Sequence, residues 1–172
     1  ADPAARDFCT GSAPFRFVVD LPEGNYRVTV TLGDAGGESL TTIRSESRRL
    51  MLERVATARG EVVTRTFLVN TRHARLASGG SVALKSREIG ASHWDAALTL
   101  EFGDRRPAVA AVEIAPAPDA VTVFLAGDST VTDQTAEPYS SWGQMLPRFF
   151  GPDIAVANHA ESGESLRSFV AE

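Results

Sequence analysis

The sequence predicts two units: an all-β sandwich over residues 1–118, then the start of an α/β domain with a parallel sheet over residues 119–172. Three observations carry that division. Residues 14–115 hold short runs of two-residue alternation broken by turn clusters, the pattern of a sandwich. Next comes Ala115-Pro116-Ala117-Pro118-Asp119, a stiff linker, because paired prolines resist both helix and ladder hydrogen bonding. Beyond it, strand-like and helix-like runs alternate as βαβα, which calls for parallel strands and a right-handed crossover.

In the first unit, Phe15, Phe17, Val19 and Leu21 alternate with more polar neighbours, and Tyr26, Val28, Val30 and Leu32 repeat the pattern. Pro22-Glu23-Gly24-Asn25 between them has turn chemistry, so the two runs form a hairpin or are joined by a short connection. Further strands are expected at Leu40 to Arg44, Val62 to Val69, Ala97 to Phe102 and Val109 to Ile114. Arg48 to Ala58 fits either period and is read as strand rather than helix. The charged stretch Arg44-Ser45-Glu46-Ser47-Arg48-Arg49 reads as a solvated strand edge, where alternating charge discourages edge-to-edge pairing.

In the second unit, Val121 to Ala126 is a nearly continuous apolar run, as in a parallel strand buried on both faces. Ser141-Trp142-Gly143-Gln144 resembles a capping box opening a short helix that Pro147 must kink or end. Gly151-Pro152-Asp153 makes a turn, Ile154 to Ala157 a second strand, and Leu166, Phe169 and Val170 the buried stripe of a second helix. Two strands and two helices cannot cover both faces of a parallel sheet, so this unit reads as incomplete, its missing cover being the remainder of its own domain.

Composition narrows the function classes. A formal charge of −5 without a Lys/Arg block offers no footprint for a phosphate backbone, so nucleic acid is not an expected partner. No run of about 18 apolar residues exists, which argues against a membrane span. Cys9 is the only cysteine, so an intramolecular disulfide and a thiolate metal cluster are excluded. Asp34, Glu38 and Asp104 are loop carboxylates without regular calcium-ligand spacing, and neither a metal nor a cofactor is expected. The small polar start Ala1-Asp2-Pro3-Ala4-Ala5 fits a secreted or periplasmic protein after removal of an export signal. A vector-derived start would look the same, which leaves a cytoplasmic location open.

Ser129 lies just past the first strand of the second unit, in Gly127-Asp128-Ser129-Thr130, and open parallel sheets handle ligands at the carboxyl edge of their strands. Taken alone this is either a nucleophile turn or an ordinary turn with an N-cap. After the second strand, Asn158-His159-Ala160-Glu161-Ser162-Gly163-Glu164-Ser165 should emerge on the same edge, where Gly163 lets its backbone approach a substrate and offer an N–H to a developing oxyanion.

These residues resemble the SGNH (GDSL) hydrolases, and within them the rhamnogalacturonan acetylesterases. Gly127-Asp128-Ser129 is similar to the first block of that superfamily and Gly163 to the second. The stretches from Phe124 to Asp133, Trp142 to Leu146 and Asn158 to Phe169 look like the acetylesterase branch. His93-Trp94-Asp95 to Phe102 is similar to the galactose-binding-like sandwich, of jelly-roll type, that precedes the catalytic domain in bacterial members. The resemblance implies a three-layer catalytic fold, Ser129 as nucleophile, and the N–H groups of Ser129 and Gly163 as oxyanion donors. It implies acetylated pectic polysaccharide or oligosaccharide as substrate. The family's third donor, in a Gly-x-Asn-Asp block, and its catalytic Asp and His, in an Asp-x-x-His block, are not in these 172 residues. A serine without a base is nearly inert, so this segment alone is expected to be inactive.

Other residues have supporting readings. Asp128 and Asp133 read as carboxylates that brace the nucleophile loop, with Asn158 supporting the second loop, and His159 reads as a loop-stabilising residue rather than a base. Arg167 either meets a uronic acid or is an exposed helix arginine. Trp94 is either a sugar-stacking platform or a buried sandwich tryptophan. Two functions compete with the acetylesterase: a carbohydrate-binding sandwich with a remnant hydrolase segment, and another SGNH lipase or thioesterase.

Overall fold

The structure, a computed structural model, describes residues 8–171, so the start Ala1–Ala5 read above as the end of an export signal lies outside the described residues. Eight strands build the first unit: β1 (Cys9–Thr10), β2 (Phe15–Asp20), β3 (Gly24–Gly33), β4 (Ser39–Ser45), β5 (Arg49–Thr57), β6 (Val62–Thr71), β7 (Ala97–Gly103) and β8 (Ala108–Pro116). They form two antiparallel four-stranded sheets, ordered β1-β8-β3-β6 and β2-β7-β4-β5. The chain is mostly β, and the predicted alternation explains why. Val28, Val30 and Leu32 of β3 are fully buried against Leu98 and Leu100 of β7 and Ile43 of β4, so the inward faces of both sheets share one core.

Arg49–Thr57 is a strand, as expected. The turn Pro22–Asn25 does not close a hairpin, because β2 pairs with β7 while β3 pairs with β6 and β8. It is a short connection that carries the chain from one sheet to the other. The proline linker is shorter than the sequence suggests. β8 runs on to Pro116 opposite Tyr26, and the Ala117 N–H donates to the Asn25 carbonyl at 2.8 Å. A proline at the last residue of a strand is tolerated, since the ladder ends there.

The second unit holds β9 (Val121–Leu125), α1 (Trp142–Met145), a 3-10 turn at Leu146–Phe149, β10 (Ile154–Asn158) and α2 (Leu166–Ala171). β9 and β10 pair in parallel, Val121 opposite Ile154 through Leu125 opposite Asn158. The Ser141 hydroxyl accepts from the Gln144 N–H, which caps α1, and Pro147 falls in the 3-10 turn that replaces further α-helix.

Two expectations about burial are corrected. β9 is not buried on both faces: Phe124 is 70% exposed, because among the described residues the strand has one neighbour, β10, and one covered side. The apolar stripe of α2 faces solvent as well, with Leu166 and Val170 exposed. β10, by contrast, is enclosed from Ala155 to Asn158, and Ala155 packs with Ala117 against Leu68 of β6. The two units therefore share a small apolar contact. Among the described residues no helix is long and apolar enough to cross a membrane.

Candidate active site

The loop that carries Ser129 is built by Asp128. Its Oδ1 accepts from the Thr130 N–H at 2.9 Å and the Thr130 hydroxyl at 2.8 Å, while its carbonyl accepts from the N–H groups of Val131 and Thr132. This is a side-chain-capped turn of the kind short Asp residues favour. The two hydrogen bonds from Thr130 hold the Asp128 carboxyl below its usual range. Ser129 rides on this turn, exposed, with its carbonyl accepting from Gln134 Nε2 at 3.1 Å. Asp128 thus ties the turn together through Thr130.

The second loop leaves the sheet beside the first. The β9–β10 ladder continues past both strand ends, the His159 N–H donating to the Leu125 carbonyl at 2.8 Å and the Glu161 N–H to that of Gly127 at 3.0 Å. Ser129 and Gly163 each stand two residues beyond that last rung, so the structure brings them to one sheet edge. Glu161 to Glu164 is a turn closed by the Glu164 N–H on the Glu161 carbonyl at 3.1 Å, with Gly163 at φ +83°. A positive φ at the third position defines a type II turn and favours glycine there. Neither the Ser129 nor the Gly163 N–H has an acceptor among the described residues.

Asp133 and Asn158 join the two loops from beneath. Asn158 is fully buried, its Nδ2 donating to the Val131 carbonyl at 2.6 Å and to Asp133 Oδ1 at 2.8 Å, its Oδ1 accepting from the Ala160 N–H. The other oxygen, Asp133 Oδ2, accepts from Arg49 Nε at 2.5 Å, and both side chains are almost wholly buried. Arg49 belongs to the sandwich. The reading of Arg44–Arg49 as a solvated edge is therefore corrected: Ser45, Glu46, Ser47 and Arg49 are buried, with Arg49 against Asp133 of the loop that follows Ser129.

That segment is the tip of the β4–β5 hairpin, held in a tight turn with Glu46 at φ 53° and Arg48 at φ 64°. Arg48 Nη1 donates to the Tyr139 carbonyl at 3.0 Å and its Nη2 pairs with Glu137. Gln144 Nε2 returns a bond to the Ser47 carbonyl at 2.7 Å, and the Ser47 hydroxyl meets His93 Nδ1 at 2.5 Å. Non-glycine residues in the left-handed region cost energy, and the surrounding bonds hold them there. Burial pushes Glu46 up to about 8 and His93 down to about 3.

Trp94 is neither in the sandwich core nor an open platform. It sits on a 3-10 turn, Ser92–Trp94, and is partly buried, with Nε1 donating to Glu88 at 2.9 Å. The Arg72 guanidinium lies 4.4 Å from its ring centroid, and the His159 ring meets it edge-on at 6.2 Å. His159 also lies against Phe124 at 5.7 Å, and its imidazole is pushed down to about 4, first by desolvation and then by Arg72 and Arg49. The His159 side chain is exposed on its other side. Trp94, His159, Phe124 and Phe169 line a cavity of ≈ 540 Å³ that flanks the Ser129 loop without including Ser129.

Arg167 is exposed on α2. Asp34 pairs with Arg106, Glu38 with Arg105 and Asp104 with Arg54, and no group of three potential metal ligands occurs among the described residues. The arginines and the lysine that reach the second unit from the sandwich are the residues sequence reasoning missed. Glu161-Ser162-Gly163-Glu164 carried a usable signal, a turn with glycine third.

This chain is a partial homologue of an esterase. Over 54 residues it is 46% identical to the rhamnogalacturonan acetylesterase RhgT of Bacillus subtilis (strain 168), a match covering 30% of this chain and 23% of that enzyme. The crystal structure of protein YxiM of Bacillus subtilis aligns with 90% of this chain and 39% of its own, at 25% identity and a TM-score of 0.38. The chain thus spans well under half the length of either protein. No family model matches it.

Proposed function

We propose that the chain belongs to a serine esterase of the SGNH type that removes acetyl groups from pectic polysaccharide, with a galactose-binding-like sandwich ahead of its catalytic domain. The observation that carries this reading is the shared edge. A loop serine and a glycine turn both stand two residues past the last rung, each with an N–H that has no acceptor among the described residues. The match to an acetylesterase adds the substrate class.

In this reading Ser129 Oγ attacks the acetyl carbonyl, and the oxyanion accepts from the N–H groups of Ser129 and Gly163. The sugar hydroxyl departs with a proton, leaving an acetyl-serine. Water then adds to that ester, acetate leaves and the serine proton is restored. None of the three histidines present is the base. His93 is buried on Ser47, His159 is exposed beside the Trp94 and Phe124 rings in the wall of a cavity that does not include Ser129, and His73 lies by Glu23. The base and the third oxyanion donor therefore come from outside these 172 residues, and the chain by itself is inactive.

The test is acetate release from acetylated rhamnogalacturonan by the full-length protein. Ser129→Ala should lower it by several orders of magnitude. Undiminished turnover in that variant sinks the reading. An acyl-chain-length series on 4-nitrophenyl esters separates an acetylesterase, which favours acetate, from a lipase or thioesterase.

A further inference from the structure

We infer that Lys85 and Arg87, from the loop that precedes β7 in the sandwich, are positioning residues for the Gly163 oxyanion donor. The inference rests on the esterase reading above and assigns the sandwich a part in it. Both cations reach across to the turn that carries Gly163. Lys85 Nζ donates to the Ser162 carbonyl at 3.2 Å and pairs with Glu164. Arg87 donates to the same Ser162 carbonyl through Nη2 and pairs with Glu161 through its guanidinium.

The shared carbonyl is the decisive detail. The Ser162 C=O and the Gly163 N–H belong to one planar trans peptide, so fixing the direction of the oxygen fixes the N–H in the opposite direction. Type I and type II turns differ by a flip of this central peptide, and φ +83° at Gly163 is the type II state. In the flipped state the Gly163 N–H would turn away from the side it now faces. Two positive charges on the oxygen hold the type II state and withdraw electron density from the amide, which strengthens its N–H as a donor. The acids on either side of the glycine, Glu161 and Glu164, anchor the cations and leave the N–H itself free.

The arrangement is partly open to water, with the Lys85 and Arg87 side chains 41% and 52% exposed. Surface pairs of this kind add little stability and are weakened by salt. Their effect should therefore appear in turnover more than in folding.

The experiment compares full-length wild type with Lys85→Met/Arg87→Met and with Arg87→Lys. With 4-nitrophenyl acetate, the double variant should lose about ten- to a hundredfold in kcat, less than or comparable to removal of an oxyanion donor, with KM within about twofold. Inhibition by a boronic acid, which forms a tetrahedral adduct on the serine, should weaken in parallel. Arg87→Lys should recover most of the loss, and kcat of the wild type, but not of the double variant, should fall between low and high salt. Parallel changes in kcat and KM with no change in boronate affinity relative to substrate, or full activity in the double variant, overturn the inference while leaving the esterase reading intact. A wild type that releases no acetate and does not label at Ser129 overturns the reading instead. The Gly163 amide 15N resonance supplies a readout without turnover: it should move upfield in the double variant, and an unchanged shift counts against the inference.

Discussion

Replacing Arg49 by Met should destabilise the protein by about 3–5 kcal/mol, because it leaves a buried carboxylate without its counter-charge. Asp133 is 5% exposed, and after the substitution its oxygens keep one donor, Asn158 Nδ2 at 2.8 Å. Asp133→Leu has the converse effect: it strands a guanidinium whose other strong partner is the Asn70 carbonyl at 2.8 Å and whose Nη2 already lacks one. For a chain of this size such losses correspond to a drop of about 6–20 °C in Tm. Arg49→Met/Asp133→Leu removes both charges and should cost markedly less than the sum, since well-packed apolar residues replace buried ion pairs at little expense. The assay is urea unfolding followed by far-ultraviolet circular dichroism and tryptophan fluorescence, run as a double-mutant cycle. Amide exchange over residues 127–133 and 158–163 should rise in either single variant while β3 keeps its protection. A single variant that costs less than about 1 kcal/mol, or a double variant that costs the full sum, refutes the argument that this pair joins the loops to the sandwich.

Three further outcomes are expected. Stability should fall as pH rises from 6.5 to 8, because Glu46, raised from 4.5 to about 8, keeps its proton only in the folded chain; the slope is at most about 1.4 kcal/mol per pH unit. From pH 6.5 down to 4.5 this gain is outweighed by His93, lowered from 6.5 to about 3, and His159, lowered from 6.5 to about 4, whose protons only the unfolded chain accepts, so stability should also fall toward acid and peak near pH 6.5. Glu46→Gln should abolish the decline toward pH 8, measured as the urea midpoint, and a persisting decline would assign it to another group. Gly143→Ala should cost more than Gly163→Ala in thermal melts. A Cβ at 143 would stand 2.2 Å from the Val131 carbonyl oxygen, whereas at 163 it meets open space and pays only for φ +83°, about 1–2 kcal/mol. Equal costs would mean that the Val131 carbonyl does not pack against Gly143. Finally, the 172-residue chain should show no acetate release above buffer, and a measurable rate would require a base within it.

The strands were legible because burial on one face imposes a period of two, and that period survives in the residues of β3 and β7. The cap at Ser141 was legible because its chemistry is local, whereas the type II turn at Gly163 was read only as a loop. Contacts between the units were not. Arg49 meets Asp133 from 84 residues away, and nothing near Arg49 in sequence distinguishes a guanidinium that will be buried from one on a solvated edge. Lys85 and Arg87 sit in an irregular loop, where no periodicity marks a face. The apolar run of β9 suggested burial on both faces, but apolar residues report only a tendency, and here Phe124 lies in the open wall of a cavity.

The Arg49–Asp133 pair also bears on how this chain could be divided. The prolines before Asp119 invite a cut between two modules. A second unit excised at that point would take with it a dry carboxylate, an enclosed asparagine and an apolar strand, β10, all shaped to a surface it no longer possessed. Water would enter beneath the Ser129 turn. Grafting the unit onto a different β-sandwich would succeed only where the new host offers a guanidinium at the depth of Arg49, so transplantation must carry the β4–β5 hairpin along with the loops that rest on it.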